Sequence, residues 1–276
     1  MKKILVVFSI FCLGFLFSPL SALAYEGEFI ISAGTEPQGI DPAMIEGVPE
    51  HRIYLSLFEG LISYSERDAS PIPGIAKSWY SSNGGKTYTF KLRESKWSDG
   101  VPVTAQTFVD SWHRMLDPKT ASPYAWFPNM FIKGAEDFNS GKAGKEAVQI
   151  RALDRMTFQF DLVGPLPYVI GALAHYSFAA APMHVIKKYG KDWTKTENFV
   201  SNGPFKLESW IPQDKLTVIP NKMYWDASSV SLARVTYIAS DDENTNHNMF
   251  LNNEVDWVDD VPLDQIETVQ LRDDYQ

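Results

Sequence analysis

KWSDGVPVTAQTFVDSWHRMLDPKTASPYAWF, residues 96–127, contains a turn, a helix and a loop in succession and anchors the interpretation of the whole chain. Residues 98–100 predict the turn, because aspartate hydrogen-bonds the backbone ahead of it and glycine accepts a positive φ. Thr104 then caps a helix that ends at Asp117, since the residue before a proline is pushed out of the α region. The loop at residues 120–124 presents the hydroxyl of Tyr124. The helix has one apolar face at a period of 3.6 residues: Phe108, Val109, Trp112, Met115 and Leu116.

The first 24 residues have the three parts of a secretory signal. Two lysines precede an apolar run at residues 4–17, and small residues lead up to Ala24. We expect cleavage before Tyr25; an uncleaved anchor is the alternative, but the apolar run is short for a membrane span. Cys12, the only cysteine, does not follow the small residues that a lipoprotein signal needs. The sequence therefore predicts an exported, periplasmic, non-lipidated chain.

Charge and composition restrict the class of protein. Removing residues 1–24 changes the net charge from −9 to −11, because that segment carries two lysines and no acid. Nucleic acid is therefore excluded as a partner, since it requires basic grooves. With 45% apolar and 13% aromatic residues, the chain has enough apolar surface for a packed core of one large or two ordinary domains.

Other segments give a coarse outline of the secondary structure. Content of β-branched and aromatic residues predicts strands at residues 28–32, 62–64 and 235–238, and a hairpin around residues 83–85. Residues 253–257 are a further candidate strand. Residues 153–162 alternate at period two and predict one strand. An apolar stripe at residues 53–61 predicts a helix, and residues 242–251 are a second candidate. Residues 46–49 predict an extended loop, because Gly47 loosens the backbone and Pro49 biases Val48 away from the α region.

Residues 97–114 closely resemble a motif of the bacterial oligopeptide-binding proteins, the periplasmic receptors of peptide ABC transporters. The family pattern is W-S-D-G-x-P-V-T-A-x-D-F-V-x-S-W-x-R, followed by D-P-x-T-A-S-P-Y, and this chain departs from it clearly only at Thr107, where an acid is usual. Residues 73–79, 87–93, 202–210 and 221–226 resemble further family motifs. The resemblance covers essentially the whole mature sequence, but only the first half of the family's length.

The resemblance implies a mixed α/β, periplasmic-binding-protein-like fold with two lobes. In that fold, residues 25–60 and 184–276 form the first lobe, residues 61–183 form a small β-rich lobe inserted in it, and the second large lobe is absent. The implied function is capture of oligopeptides and their delivery to an ABC-transporter permease by a truncated, monomeric receptor that needs no cofactor. Glu46, Gly47 and Val48 would meet the peptide backbone by strand addition, and Tyr124 would add a contact from the small lobe.

Other interpretations remain open. A receptor of the same family for a nickel chelate, haem, a sugar or a murein peptide is the main alternative, although Glu46 and Tyr124 favour peptide. Residues 46–49 also fit an ordinary surface loop, and Tyr124 fits a half-buried loop aromatic. Asp241, Asp242 and Glu243 are candidates for binding a cation, but acids before a helix more often serve as caps.

An exported hydrolase is the last alternative. The sequence contains no G-x-S-x-G, no H-E-x-x-H and no phosphate-binding loop, although a triad assembled from distant residues stays open. The five histidines show no metal-ligand spacing, so we expect no metal site; they are His51, His113, His175, His184 and His247.

Overall fold

The computed structural model describes residues 25–272, so the predicted signal segment at residues 1–24 lies outside the described residues. The strands are β1 (Glu28–Ser32), β2 (Ile62–Tyr64), β3 (Pro71–Pro73), β4 (Ala76–Ser82), β5 (Thr87–Leu92), β6 (Ser95–Lys96), β7 (Pro102–Val103), β8 (Ile150–Asp154), β9 (Thr157–Asp161), β10 (Phe205–Ile211), β11 (Lys215–Pro220), β12 (Arg234–Ile238) and β13 (Trp257–Val258). The helices are α1 (Val48–Leu57), α2 (Ala105–Leu116), α3 (Trp126–Asn129), α4 (Ala135–Asn139), α5 (Val169–Ala172), α6 (Met183–Tyr189), α7 (Glu243–Leu251) and α8 (Ile266–Val269).

A five-stranded mixed sheet, in the order β10-β11-β12-β1-β13, joins the beginning and the end of the described chain. β1 runs parallel to both β12 and β13, whereas β11 is antiparallel to both β10 and β12. The strands predicted at residues 28–32 and 235–238 are confirmed. The strand predicted at residues 253–257 is wrong over most of its length, because Asn253 has a positive φ of 59° and turns the chain back after α7.

The second sheet is antiparallel, in the order β4-β5-β9-β8, and contains the predicted hairpin around residues 83–85. Its buried face carries Phe90, Phe158 and Phe160. The strand predicted over residues 153–162 is present as β9, but it is shorter than predicted, because residues 153–156 form the end of β8 and the turn between β8 and β9. Asp154 stabilises that turn by accepting a hydrogen bond from the Met156 N–H at 2.8 Å.

Helix α2 agrees with its prediction at both ends and along its buried face. Thr104 accepts a hydrogen bond from the Thr107 N–H, and the Thr107 hydroxyl accepts one from the Thr104 N–H at 3.1 Å, which completes a capping box without the usual acid. The ring of Trp112 meets Phe158 edge to face at 4.8 Å, and its indole N–H donates to the Phe178 carbonyl at 3.0 Å. These contacts pack α2 against β9 of the second sheet and against Phe178, in the segment that follows this sheet.

The two sheets are built from separate parts of the sequence. All strands of the five-stranded sheet lie in residues 25–60 and 184–272, and all strands of the four-stranded sheet lie in residues 61–183. One continuous cluster of buried apolar side chains nevertheless extends under both sheets. The predicted lobe boundaries follow this division of strands and stay a prediction.

Candidate functional site

The predicted binding segment, Glu46, Gly47 and Val48, is exposed and spans the start of α1, whose first residue is Val48. Gly47 has φ 94° and ψ 174°, a left-handed conformation that favours glycine. The extended loop predicted for residues 46–49 is wrong at Val48, which begins α1. Pro49 explains the difference, because proline is well tolerated in the first turn of a helix, where no N–H partner is lost.

The backbone of this segment is largely unused. Among the described residues, the N–H and C=O of Glu46 and the N–H of Gly47 make no backbone hydrogen bond, whereas the Gly47 carbonyl accepts one from the His51 N–H at 3.3 Å. Behind the segment, the buried carboxylate of Glu50 accepts a hydrogen bond from the Gln38 N–H at 2.8 Å. The segment therefore has free backbone N–H and C=O groups, and the Glu50–Gln38 hydrogen bond behind it restrains its position.

Tyr124 is half-buried and lies in the turn that leads into α3. Its ring centroid lies 5.3 Å from that of Tyr176, 5.0 Å from that of His175 and 5.9 Å from that of Trp126. Tyr176 also meets His51 of α1 edge to face at 5.6 Å. We call His51, Tyr124, His175 and Tyr176 the ring cluster.

The ring cluster connects the two parts of the predicted site. Burial raises the pKa of Tyr176, and the hydroxyl of Tyr124 and the negative charges of Glu46 and Glu50 raise it further. Glu46 and Tyr124 therefore both influence the pKa of Tyr176, although 78 residues separate them in sequence. Whether Glu46, Gly47, Val48 and Tyr124 bind a ligand stays a prediction.

The surroundings of the two imidazoles in the ring cluster favour their neutral forms. Burial, followed by the charge of Arg52, lowers the pKa of His51, and burial with the charge of His51 lowers the pKa of His175 to about 4. The His175 Nδ1 accepts a hydrogen bond from the Ser177 N–H at 3.3 Å, which leaves Nε2 to carry the proton of the neutral ring. The cluster thus offers aromatic faces and uncharged polar atoms next to the Glu46 carboxylate.

The sequence did not identify His51, His175 or Tyr176 as parts of this site. The histidines lack metal-ligand spacing, so their positions in the sequence do not indicate a site. No periodicity relates residues 51, 124 and 176, because they lie on α1, on the turn before α3 and on the chain that leaves the second sheet.

A partly buried carboxyl group, that of Glu59, lies where the chain first passes from one sheet to the other. Glu59 accepts hydrogen bonds from the Tyr224 hydroxyl at 2.9 Å and from the Trp225 indole N–H at 2.5 Å. The guanidinium of Arg93 lies 3.5 Å from the centre of the Trp225 ring. Burial raises the pKa of Glu59 to about 7, against the lowering effects of the Trp225 and Tyr224 hydrogen bonds and of Arg93. Glu59 also borders a cleft of about 420 Å³.

Within residues 25–272, no group of three or more histidine, cysteine, aspartate and glutamate side chains is arranged to hold a metal ion. In the same range, no helix combines the length and the apolar character needed to cross a bilayer.

Comparison with protein families gives one match over most of the chain. The model described as bacterial extracellular solute-binding proteins, family 5 Middle, matches residues 70–276. This range includes Tyr124 and the four-stranded sheet, but it begins after the Glu46–Val48 segment.

Two curated relatives show the extent of the similarity. The periplasmic oligopeptide-binding protein OppA of Salmonella typhimurium is 39% identical over 236 residues, which are 85% of this chain and 43% of that protein. The periplasmic murein peptide-binding protein MppA of Escherichia coli is 36% identical over 244 residues, which are 88% of this chain and 45% of that protein. The chain spans less than half the length of these relatives.

A solved structure shows the same architecture. The periplasmic oligopeptide-binding protein of an oligopeptide ABC transporter (OppAIV) from Borrelia burgdorferi superimposes with a TM-score of 0.88 at 38% sequence identity. The superposition covers 91% of this chain and 51% of that chain. The predicted fold class, mixed α/β and like that of the periplasmic binding proteins, is confirmed.

Proposed function

The chain belongs to family 5 of the bacterial extracellular solute-binding proteins, and on this basis we propose that it captures oligopeptides outside the cytoplasm and delivers them to the permease of an ABC transporter. The observation that carries the proposal is the exposed segment Glu46–Val48, which has free backbone groups and joins the ring cluster through the Gly47 carbonyl and the His51 N–H. An extended peptide pairs with such groups through its own main chain, so that affinity does not depend on one side-chain sequence.

Tyr124 has a complementary role in this proposal. Its hydroxyl lies beside that of Tyr176, and its ring is held by His175 and Trp126. A rigid aromatic side chain with a polar end contacts a ligand at low cost in conformational entropy. In this proposal Tyr124 therefore provides a fixed contact from the turn before α3, in addition to the Glu46–Val48 segment.

The proposal extends to the processing and organisation of the protein. We propose that residues 1–24 are removed as a signal peptide, that the mature protein is a monomer without lipid, and that residues 25–60 with 184–276 and residues 61–183 form its two lobes. The proposed role is binding and delivery without a chemical reaction. N-terminal sequencing and intact mass of the exported protein test the cleavage after Ala24 and the absence of lipid.

Native mass spectrometry of protein purified from its own periplasm tests the proposed function. The expected result is retained extra mass that fragments into short peptides. A ligand-free protein that also fails to bind a mixture of short peptides overturns the proposal.

A murein peptide is the second candidate ligand, because the E. coli murein peptide-binding protein is 36% identical over 88% of this chain. Chiral amino-acid analysis of the retained ligand separates the two candidates. D-amino acids indicate a murein peptide, and exclusively L-amino acids indicate an ordinary oligopeptide.

A further inference from the structure

A cavity of about 230 Å³ opens beyond the carboxyl ends of the parallel strands β12, β1 and β13. Gly34 follows β1, Ser240 follows β12, and Asp259 follows β13, and all three line the cavity. The Ser240 N–H donates to the Gly34 carbonyl at 2.8 Å, which joins two of these loops. Crevices outside the carboxyl ends of parallel strands are where open α/β sheets bind ligands. We call this space the acidic cavity.

The lining of the acidic cavity carries an excess of negative charge. It contains Asp241, Glu243, Asp259 and Asp260, and it contains no lysine or arginine. Arg52 reaches Asp259 from the side and forms an ion pair with it. The other three carboxylates have no ion pair among the residues that the structure describes. Their mutual repulsion in a partly enclosed space favours a positively charged occupant.

A buried hydrogen-bond acceptor of Asn246, a residue of the cavity lining, also favours a ligand that donates hydrogen bonds. Asn246 is only 6% exposed, and its Oδ1 has no hydrogen-bond partner, whereas its Nδ2 donates to the Ser240 carbonyl at 3.0 Å. A buried polar atom without a partner is unfavourable, so the Asn246 side chain keeps an unmet need for a hydrogen-bond donor at the edge of the cavity. Asn246 and the carboxylates therefore all require hydrogen-bond donors.

The positive end of the α7 helix dipole does not remove the preference of the cavity for a positively charged ligand. A helix N-terminus attracts anions, but Asp242 already caps this one by accepting a hydrogen bond from the Thr245 N–H at 2.6 Å. Glu243 adds a further negative charge in the first turn. The predicted role of these acids as caps thus holds for Asp242, while Asp241 and Glu243 line the cavity.

The chemistry of the lining favours an organic cation over a metal ion. Within the described part of the chain, the acids do not converge as the ligands of a metal do. An ammonium or guanidinium group carries several N–H donors and binds acceptors that are spread around it.

We propose that the acidic cavity receives the ammonium or guanidinium group of a lysine or arginine side chain of the bound peptide. Pro49 lines the cavity and directly follows the Glu46–Val48 segment, so a peptide on that segment has a side-chain position next to the cavity. The inference rests on the proposed function and adds a preference for cationic peptides to it.

Titration calorimetry with matched peptides tests the inference on the full-length protein. Each position of a short peptide carries in turn lysine or norleucine, which has a similar length without the charge. The wild type is expected to prefer lysine at one position by about tenfold. Asp260→Asn and Glu243→Gln reduce that preference, and so does added salt, because salt screens charges that water reaches. Glu197→Gln is the control, because this exposed acid lies outside the cavity lining and is expected to leave the preference unchanged.

The outcomes separate this inference from the proposed function. Equal affinity for lysine and norleucine peptides at every position overturns the cationic site while peptide capture stands. A lysine preference that survives in the Asp260→Asn, Glu243→Gln double variant also overturns it. Absence of binding to all peptides overturns the proposed function, and the inference falls with it.

Discussion

Arg114 of α2 holds Asp41 by a two-point ion pair, with Nη1 donating to Oδ1 at 2.9 Å and Nη2 contacting Oδ2. The indole N–H of Trp193 donates to the same carboxylate at 3.3 Å. Asp41 in turn accepts a hydrogen bond from the Ala43 N–H at 3.0 Å, in the turn that leads to Glu46. The helix beside the small sheet therefore fixes the segment that we propose to meet the peptide.

Removing the guanidinium of Arg114 leaves a mostly buried carboxylate without its partner. We expect Arg114→Leu to lower the free energy of unfolding by about 3–5 kcal/mol, measured by urea denaturation. Arg234→Leu is the matched control, because its ion pair with Glu208 is more exposed, and we expect a loss below about 1 kcal/mol. Equal losses in the two variants would show that the Asp41 pair has no special role.

Glu59 predicts a pH dependence of stability. Its pKa is about 7 in the folded state, compared with 4.5 as its ordinary value, because burial disfavours the carboxylate. The folded state therefore binds this proton more tightly than the unfolded state. The contribution of Glu59 to stability is fully present below about pH 4.5 and is lost as the pH rises through 7, by about 3 kcal/mol.

Glu59→Gln isolates this contribution. Urea denaturation of both proteins at pH 5 and pH 8 is expected to show a larger loss of stability with rising pH in the wild type than in the variant. The other titrating groups are present in both proteins, so their effects cancel in the difference. Parallel pH profiles would contradict the raised pKa of Glu59.

Tyr124 is expected to contribute directly to peptide binding. Tyr124→Ala removes the ring and the hydroxyl beside Tyr176, and we expect the affinity for a bound peptide to fall by about tenfold in titration calorimetry. Tyr80→Ala is the control, because Tyr80 is an exposed tyrosine of the small sheet outside the ring cluster. Circular dichroism establishes that both variants are folded. Unchanged affinity in Tyr124→Ala removes this residue from the site.

Gly203 lies against the carboxyl end of α1 with no room for a side chain. Its N–H donates to the Leu57 carbonyl at 2.9 Å, and an added Cβ would lie 2.6 Å from the Leu57 carbonyl carbon and from the Phe58 nitrogen. We expect Gly203→Ala to cost about 1–3 kcal/mol of stability in thermal or urea unfolding. Gly164→Ala is the control, because nothing lies within 4 Å of its added Cβ. A neutral effect at both positions would show that the backbone beside Gly203 moves freely.

Local sequence patterns were sufficient to predict the elements with a strong hydrophobic periodicity and clear capping residues. The apolar face of α2, its cap at Thr104 and its end at Asp117 follow from spacing and from backbone chemistry within 14 residues. Thr107 departs from the family motif, yet its hydroxyl takes the place of the usual acid in the capping box. Three local predictions differ from the structure. A turn interrupts the predicted strand between β8 and β9, and another turn at Asn253 delays β13. At Val48 a helix begins where the following proline had predicted an extended loop.

The sequence by itself determined the family, the fold class and most elements, because motifs and periodicity are local properties of the chain. The tertiary structure alone decided which distant residues share an environment. Glu46 and Tyr124 both raise the pKa of Tyr176, and Glu59 has a raised pKa, only because the folded chain brings these distant groups together and removes them from water. The acidic cavity likewise exists because three parallel strands end at one edge, which brings acids that follow β12 and β13 together.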